Sequence, residues 1–227
     1  MSWITQAQLR RDTPQARQLA SQLLTAARWD GGHGLVWTLF SDDPDASRDF
    51  LYREVEAGRF LVVSTREPHV QPEIWLTKTL PYAPALVAGD RFGFSLRANP
   101  SVSLSRPGRA RSHRADVMME AKRQKGGPLT PEEREAAAMY WLQARAPALG
   151  VGFDADRCGT SRHGQFQTPR PPDPETGKPR KTSLAVIDYD GVLTIEDPDR
   201  LRSALSAGVG RGKAFGLGLL LLRQLTD

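Results

Sequence analysis

The chain has 227 residues, enough for one large or two small domains. Its 39% hydrophobic and 25% charged residues fit a soluble globular protein, and the longest apolar run, Gly216 to Leu222, falls far short of the ~20 residues of a membrane helix. One cysteine, Cys158, excludes an internal disulfide framework and any multi-cysteine zinc site. Residues 1–12 lack the apolar stretch of a signal peptide, so a reducing, cytoplasmic compartment is expected. The net charge is a modest +5, but it is unevenly placed. Arg97, Arg106, Arg109, Arg111, Arg114, Lys122, Arg123 and Lys125 face only Asp116 and Glu120 in one segment. Arg157, Arg162, Arg170, Lys178, Arg180 and Lys181 face only Asp173 and Glu175 in another. Together these segments hold more positive charge than the whole chain, which leaves the remainder mildly acidic. Such localisation points to a polyanion site, and the prevalence of arginine favours phosphate, which its planar fork binds bidentately. Solvated loops with a chance excess of arginine are the competing reading.

Taken in chain order, Ser2 to Leu9 reads as a strand. Thr13-Pro14 then opens a helix, with Thr13 as cap and apolar residues from Ala16 to Ala27 at helical spacing. Asp30-Gly31-Gly32 interrupts it. The pairs Leu35/Leu39 and Val36/Phe40 predict a short second helix with His33 in its first turn, a strand being the competing reading for so short a run. Phe50 to Val55 and Phe60 to Ser64 read as strands joined near Gly58, and Ile74 to Leu80 as a fourth. The order is β-α-β-β-(short element)-β, that of a ferredoxin-like unit. After a linker at Pro81 to Pro84 a second such unit is expected. It comprises a strand at Arg91 to Arg97, a helix at Pro131 to Ala146 capped by Thr130, and a hairpin turning at Asp190-Gly191. A helix at Pro198 to Ala207 and a strand at Leu217 to Gln224 complete it. Both basic segments fall in insertions of this unit, Ser101–Gly127 and Gly159–Lys181. The prolines of the latter predict a mobile loop.

Few residues carry obvious chemistry. The glycines Gly208, Gly210, Gly212, Gly216 and Gly218 match neither a P-loop nor a dinucleotide fingerprint. They can bring backbone N–H groups, with Arg211 and Lys213, close to a phosphate, or they can simply form a helix-to-strand turn. His33 lies among glycines that permit close approach of a ligand, and its first-turn position suits a neutral imidazole able to take a proton. His69, His113 and His163 sit in predicted loops with no metal-ligand spacing, so no metal site is expected. Asp188, Asp190, Asp197 and Asp199 read as turn and cap residues. The five tryptophans read as core, with Trp29 closest to His33.

Four blocks together resemble a known family: Gly32-His33-Gly34-Leu35-Val36-Trp37-Thr38-Leu39-Phe40, Arg48-Asp49-Phe50-Leu51-Tyr52-Arg53, Phe94-Ser95-Leu96-Arg97-Ala98-Asn99-Pro100, and Gly208-Val209-Gly210 through Gly216-Leu217-Gly218-Leu219-Leu220. In this order they resemble the CRISPR-associated CasE endoribonucleases of type I-E systems. The resemblance implies an α+β fold of two tandem ferredoxin-like domains with antiparallel sheets. Residues 1–85 would carry the catalytic histidine, and residues 86–227 the basic insertions and glycine-rich loop. It implies cleavage of precursor CRISPR RNA at the base of the repeat hairpin, without metal or other cofactor. The ribose 2′-hydroxyl would attack the adjacent phosphate, leaving a 2′,3′-cyclic phosphate and a 5′-hydroxyl. The enzyme would then stay on the product hairpin among the other subunits of the Cascade complex, with no DNA contact needed for processing.

The family's catalytic histidine falls on His33, as general base toward the 2′-hydroxyl or general acid toward the leaving oxygen. Asp30 stands where relatives often have a tyrosine, and Trp29 or Lys213 are candidates to contribute there. Arg97, Arg109, Arg111, Arg114, Arg157, Arg162, Arg211 and Lys213 are the expected RNA-binding residues. A non-catalytic RNA-binding subunit on the same fold is the alternative.

Overall fold

A computed structural model describes residues 2–25, 31–41, 47–104, 113–170, 173–178 and 180–225. Strand β1 (Ser2–Leu9) is followed by helices α1 (Pro14–Thr25) and α2 (Gly31–Trp37), the second running into a 3-10 turn at Thr38–Phe40. Thr13 caps α1, its hydroxyl accepting from the Ala16 amide at 3.4 Å. Strands β2 (Phe50–Glu56), β3 (Arg59–Ser64) and β4 (Trp75–Tyr82) complete an antiparallel sheet in the order β2-β3-β1-β4. One face of it packs on α2 through Val36, Leu39, Phe40, Phe50, Phe60 and Trp75. The predicted i,i+4 pairs are why: a seven-residue helix gains little by itself and is held by the apolar face it buries.

The second sheet runs β11-β5-β10-β8, built from β5 (Arg91–Ala98), β8 (Val151–Phe153), β10 (Arg180–Ile195) and β11 (Leu220–Gln224). Both sheets have the strand order of the β-α-β-β-α-β unit. In the second, α4 (Pro131–Gln143), α5 (Ala146–Leu149) and α6 (Pro198–Ala207) provide the helices. Thr130 and Glu133 form a full capping box on α4, and Asp197 caps α6 by accepting from the Asp199 and Arg200 amides. Trp141 and Tyr189 stack at 5.6 Å within this core. Trp75 and Trp141 are buried as expected, whereas Trp3 and Trp37 are only half-buried. Trp29 lies outside the described residues. No helix among the described residues is long and apolar enough to cross a membrane.

Two expectations need correction. Asp190-Gly191 is not a hairpin turn: β10 runs unbroken through it, pairing Asp190 with Ser95 and Gly191 with Phe94 on β5. Glycine is required there by crowding, because a Cβ would lie 2.5 Å from the Arg157 carbonyl oxygen. The basic segment from Gly159 is not a loop at its start: it forms β9 (Gly159–Arg170), which pairs with β10 from Arg180 to Asp190. Residues 173–178, with Pro174, do form a turn between the two strands, and Pro171, Pro172 and Pro179 lie outside the described residues. Pro169 is tolerated because β9 is an edge strand. Residues 180–186 of β10 pair with β9 alone, so the two strands project as an arm beyond the sheet. Asn99 braces the arm's root by donating to the Ala185 carbonyl at 2.8 Å. The other insertion folds into the ribbon of β6 (Ser101–Leu104) and β7 (His113–Asp116) and helix α3 (Val117–Lys125), capped by Asp116.

The sheets meet through a small cluster of Leu51 and Val63 against Leu219. Beside it Arg53 reaches from β2 to donate to the Ser95 hydroxyl at 2.7 Å, the Ser95 carbonyl at 3.2 Å and the Leu219 carbonyl at 2.9 Å. Burial, reinforced by the neighbouring Arg97 charge, pushes its guanidinium down to about 10, so it remains charged at neutral pH.

Candidate functional site

The junction of the sheets opens into a cleft of about 370 Å³, within the ~300–1,000 Å³ of ordinary ligand sites. Gly32 of α2 with Tyr52 and Glu54 of β2 form one wall. Arg97 of β5 and Phe215, Gly216 and Leu217 of the glycine-rich loop form the floor. Arg162, Gly164, Gln165 and Phe166 of β9 line it as well.

His33 is the residue after Gly32 and is half-buried; it is not itself among the lining residues but stands behind Tyr52, which is. Phe50 and Tyr52 alternate onto one face of β2, and α2 docks above them. The His33 ring therefore lies 5.9 Å from Phe50 and stacks on Tyr52 at 6.3 Å with an interplanar angle of 18°. The Trp37 indole N–H, one helical turn on, donates to His33 Nε2 at 3.1 Å. The Tyr52 hydroxyl donates to the Ala214 carbonyl at 2.9 Å, joining the wall behind the imidazole to the glycine-rich loop.

That loop is folded by its glycines. Gly216 has φ +74°, and a Cβ there would meet the Tyr52 ring at 3.1 Å; at Gly218, φ +88°, it would meet the Val209 carbonyl oxygen at 2.6 Å. Several amides are already used within the protein: Val209 N–H donates to Gly218, Gly218 N–H to Arg97, and Gly216 N–H to Lys213. Gly208, Gly210 and Gly212 also have positive φ. Those bonds account for part of the loop's conformation, and Arg211 and Lys213 add cationic side chains to it.

The expected cationic residues divide into two groups. Arg97 is held by Asp188 on the adjacent strand, its Nε and a terminal nitrogen donating to the two carboxylate oxygens at 2.6 and 2.9 Å. Asp188 accordingly keeps the Arg97 guanidinium pKa raised. Arg157 is exposed, with only a loose 3.9 Å contact to Asp154. Arg114, Arg162 and Arg211 are exposed and Lys213 half-buried, and none has an ion-pair partner among the described residues. Arg109, Arg111 and Asp30 lie outside the described residues. Among the described residues no group of three or more His, Cys, Asp or Glu side chains is arranged to hold a metal ion.

Sequence reasoning missed four aromatic contributors. Trp37 and Tyr52 contact His33, and Phe166 meets Phe215 with ring centroids 5.3 Å apart in the cleft wall. A hydrophobic spacing pattern marks such rings as core and carries no signal of which ones border a cleft. The arm is seated by Glu135 of α4, which accepts from the Thr160 amide at 2.9 Å and from its hydroxyl. Thr160 also bonds His163 at 2.7 Å, which places that histidine in an anchoring contact.

A half-buried imidazole behind Tyr52, the Phe166 and Phe215 rings and the exposed Arg162 come together about a cleft where two ferredoxin-like units meet. The chain belongs to the family of CRISPR associated proteins, whose family model matches residues 2–224. It is 27% identical over 214 residues to the CRISPR system Cascade subunit CasE of Escherichia coli, covering 90% of this chain and 98% of that one. It is 29% identical over 193 residues to the CRISPR-associated endoribonuclease Cse3 of Thermus thermophilus, covering 74% and 82%. The fold matches Thermus thermophilus Cse3 bound to an RNA representing a pre-cleavage complex, with TM-score 0.68 and 24% identity over 98% of both chains. It also matches Cas6e from Escherichia coli, with TM-score 0.58 and 20% identity over 98% of this chain and 100% of that one.

Proposed function

We propose that this protein is a CRISPR repeat endoribonuclease that cuts precursor CRISPR RNA beside a repeat hairpin and keeps the product hairpin as a subunit of a Cascade complex. The observation that carries this reading is the half-buried His33 stacked on Tyr52, a residue that lines the same cleft as the exposed Arg162. RNA brings its own nucleophile, so a protein need only align the 2′-hydroxyl with the leaving oxygen, move protons and balance charge on phosphorus. His33 takes or gives the proton. The cut leaves a 2′,3′-cyclic phosphate and a 5′-hydroxyl and requires no metal. Residues 1–85 act as the domain carrying His33 and residues 86–227 as the domain that holds the RNA.

A-form RNA is recognised by its shape and phosphates, and unpaired bases by stacking. The arm suits the first task, with Arg162 on β9 and Arg180 on β10. Phe166 and Phe215 offer ring faces for the second. The experiment is incubation with repeat RNA in EDTA, alongside RNA carrying a single 2′-deoxy at the cut position. Site-specific cutting of the first and none of the second is expected. Cutting of the deoxy substrate overturns 2′-hydroxyl attack, and tight binding with no cutting of either favours a non-catalytic hairpin-binding subunit.

The cationic residues have their own readout. If about six phosphates are neutralised, log K falls with log salt at a slope of roughly −4 to −5. Replacing Arg114 and Arg162 together by Ala is expected to flatten that slope by about 1.5 and to weaken binding of every hairpin sequence alike. An unchanged slope in filter binding would remove both residues from the phosphate interface.

A further inference from the structure

We infer that Glu135 is a positioning residue for the β9–β10 arm: by fastening Thr160 beside a β-bulge at Ser161, it holds the Arg162 and Phe166 face of β9 toward the cleft; this rests on the proposed role of the arm in gripping RNA. The strand register carries the inference. Thr160 pairs with Tyr189, and Arg162 pairs with the very next residue, Asp188, so Ser161 has no partner on β10. Residues two apart on a regular strand share a face. Across the bulge they do not. Thr160 shares the face of Tyr189, which stacks on Trp141 of α4. Arg162 shares the opposite face with Asp188, whose carboxylate holds Arg97 beside the cleft.

That one extra residue decides what an RNA in the cleft meets. From Arg162 onward, alternation turns Arg162, Gly164 and Phe166 into the cleft lining, with Gln165 at its margin. Were the bulge ironed out, Ser161 would pair with Asp188 and Arg162 with Ile187, and every later side chain of β9 would change face. Ile187 belongs to the buried core, so Arg162 would leave the cleft and His163 would turn toward it.

The arm resists such a slip weakly by itself, because residues 180–186 of β10 pair with β9 alone and a two-stranded ribbon is marginal in water. Glu135 of α4 supplies the hold. Its carboxylate accepts from the Thr160 N–H at 2.9 Å and from the Thr160 hydroxyl. A carboxylate only accepts, so the hydroxyl proton goes to it, and the hydroxyl oxygen accepts from His163 Nε2 at 2.7 Å. Residues on both sides of the bulge are thereby tied to each other and to α4. By charge alone, an acidic side chain at the root of an RNA-gripping arm opposes binding. A positioning role and a mere charge effect therefore predict opposite signs when Glu135 is removed.

The test is repeat-hairpin binding by Glu135→Ala and Glu135→Gln, with hydrogen exchange of β9 read alongside. Glu135→Ala is expected to weaken binding at least ~10-fold, the size of one lost charge-assisted contact. It should lower the salt slope by about 0.7–0.9 as Arg162 leaves the phosphates, and speed exchange in residues 160–170. Its melting temperature should stay near the parent's, since alanine suits a helix interior. Glu135→Gln is expected to bind as the parent does or tighter, because its amide oxygen still accepts from the Thr160 N–H and its amide nitrogen donates to the hydroxyl. Deleting Ser161 from the Ala variant leaves Arg162 opposite Asp188 with no bulge to hold, and is expected to restore binding. Binding by Glu135→Ala at parent strength or above overturns the inference. So does unchanged exchange in β9, a Gln variant as weak as Ala, or a deletion that restores nothing. If the parent binds no repeat hairpin, the proposed function fails, while exchange in β9 still shows whether Glu135 holds the arm.

Discussion

His33→Ala is expected to lower single-turnover cleavage of repeat RNA by about 100- to 10,000-fold, the usual contribution of a positioned proton-transfer group. Hairpin affinity should be unchanged. The reason for the split lies in the structure. His33 sits on α2 above Phe50 and Tyr52, whereas the exposed cations Arg114, Arg162 and Arg211 belong to β7, β9 and the glycine-rich loop. Removing an imidazole deletes no phosphate contact on those elements. Nor does it open the core, because Val36, Leu39 and Phe40 hold α2 against the sheet without it. Paired measurements of cleavage and filter binding check this. Full activity in the variant would remove His33 from the chemistry, and a parallel loss of binding would make it an RNA contact.

Arg53→Ala is expected to cost about 3–5 kcal/mol of stability in urea unfolding, the largest effect of any single substitution considered. Its guanidinium is the donor for Ser95 and Leu219 across the junction of the two sheets. Truncation removes the donor that serves the buried Leu219 carbonyl, at about 1–3 kcal/mol, and the half-buried Ser95, and opens a void beside Leu51 and Leu219. Part of that cost is offset because Arg53 Nε is itself buried without a hydrogen-bond partner among the described residues. Arg53→Lys should recover only a minority of the loss, since one ammonium cannot span acceptors that a planar fork bridges. The same substitution should slow cleavage more than loss of folded protein explains, because this junction sets the distance between His33 and the arm. A loss below about 1 kcal/mol would show that Leu51, Val63 and Leu219 hold the sheets together unaided.

Much of the architecture was legible in the sequence because its signals are local. The i,i+4 apolar pairs around His33, the Thr130 and Asp197 caps and most of the strand-and-helix order of the two units each depend on neighbours within a few residues. The mistakes arose where distant chain decides. Asp190-Gly191 has the composition of a tight turn, yet β5 on one side and Cys158 with Arg157 on the other hold it extended. Pro169 has the composition of a loop, yet an edge strand needs few of its own N–H groups and β10 supplies a partner, whereas Pro174 does lie in a turn.

The site divides along the same line. From its residues alone the chain determined that a glycine-flanked imidazole and two arginine-rich segments existed, and its four blocks placed it beside a family of RNA-cutting proteins. Only the folded molecule decided which arginines remain open. Arg97 and Arg162 look alike in composition, and strand register sets both opposite Asp188, on the two sides of β10, but among the described residues only Arg97 pairs with that carboxylate, and Arg162 is left exposed in the cleft. It also decided that Trp37 and Tyr52 hold the His33 ring, because hydrogen bonds and ring contacts depend on side-chain direction and strand alignment. Periodicity reports which residues are apolar, and it carries no information about which of them face each other across a junction.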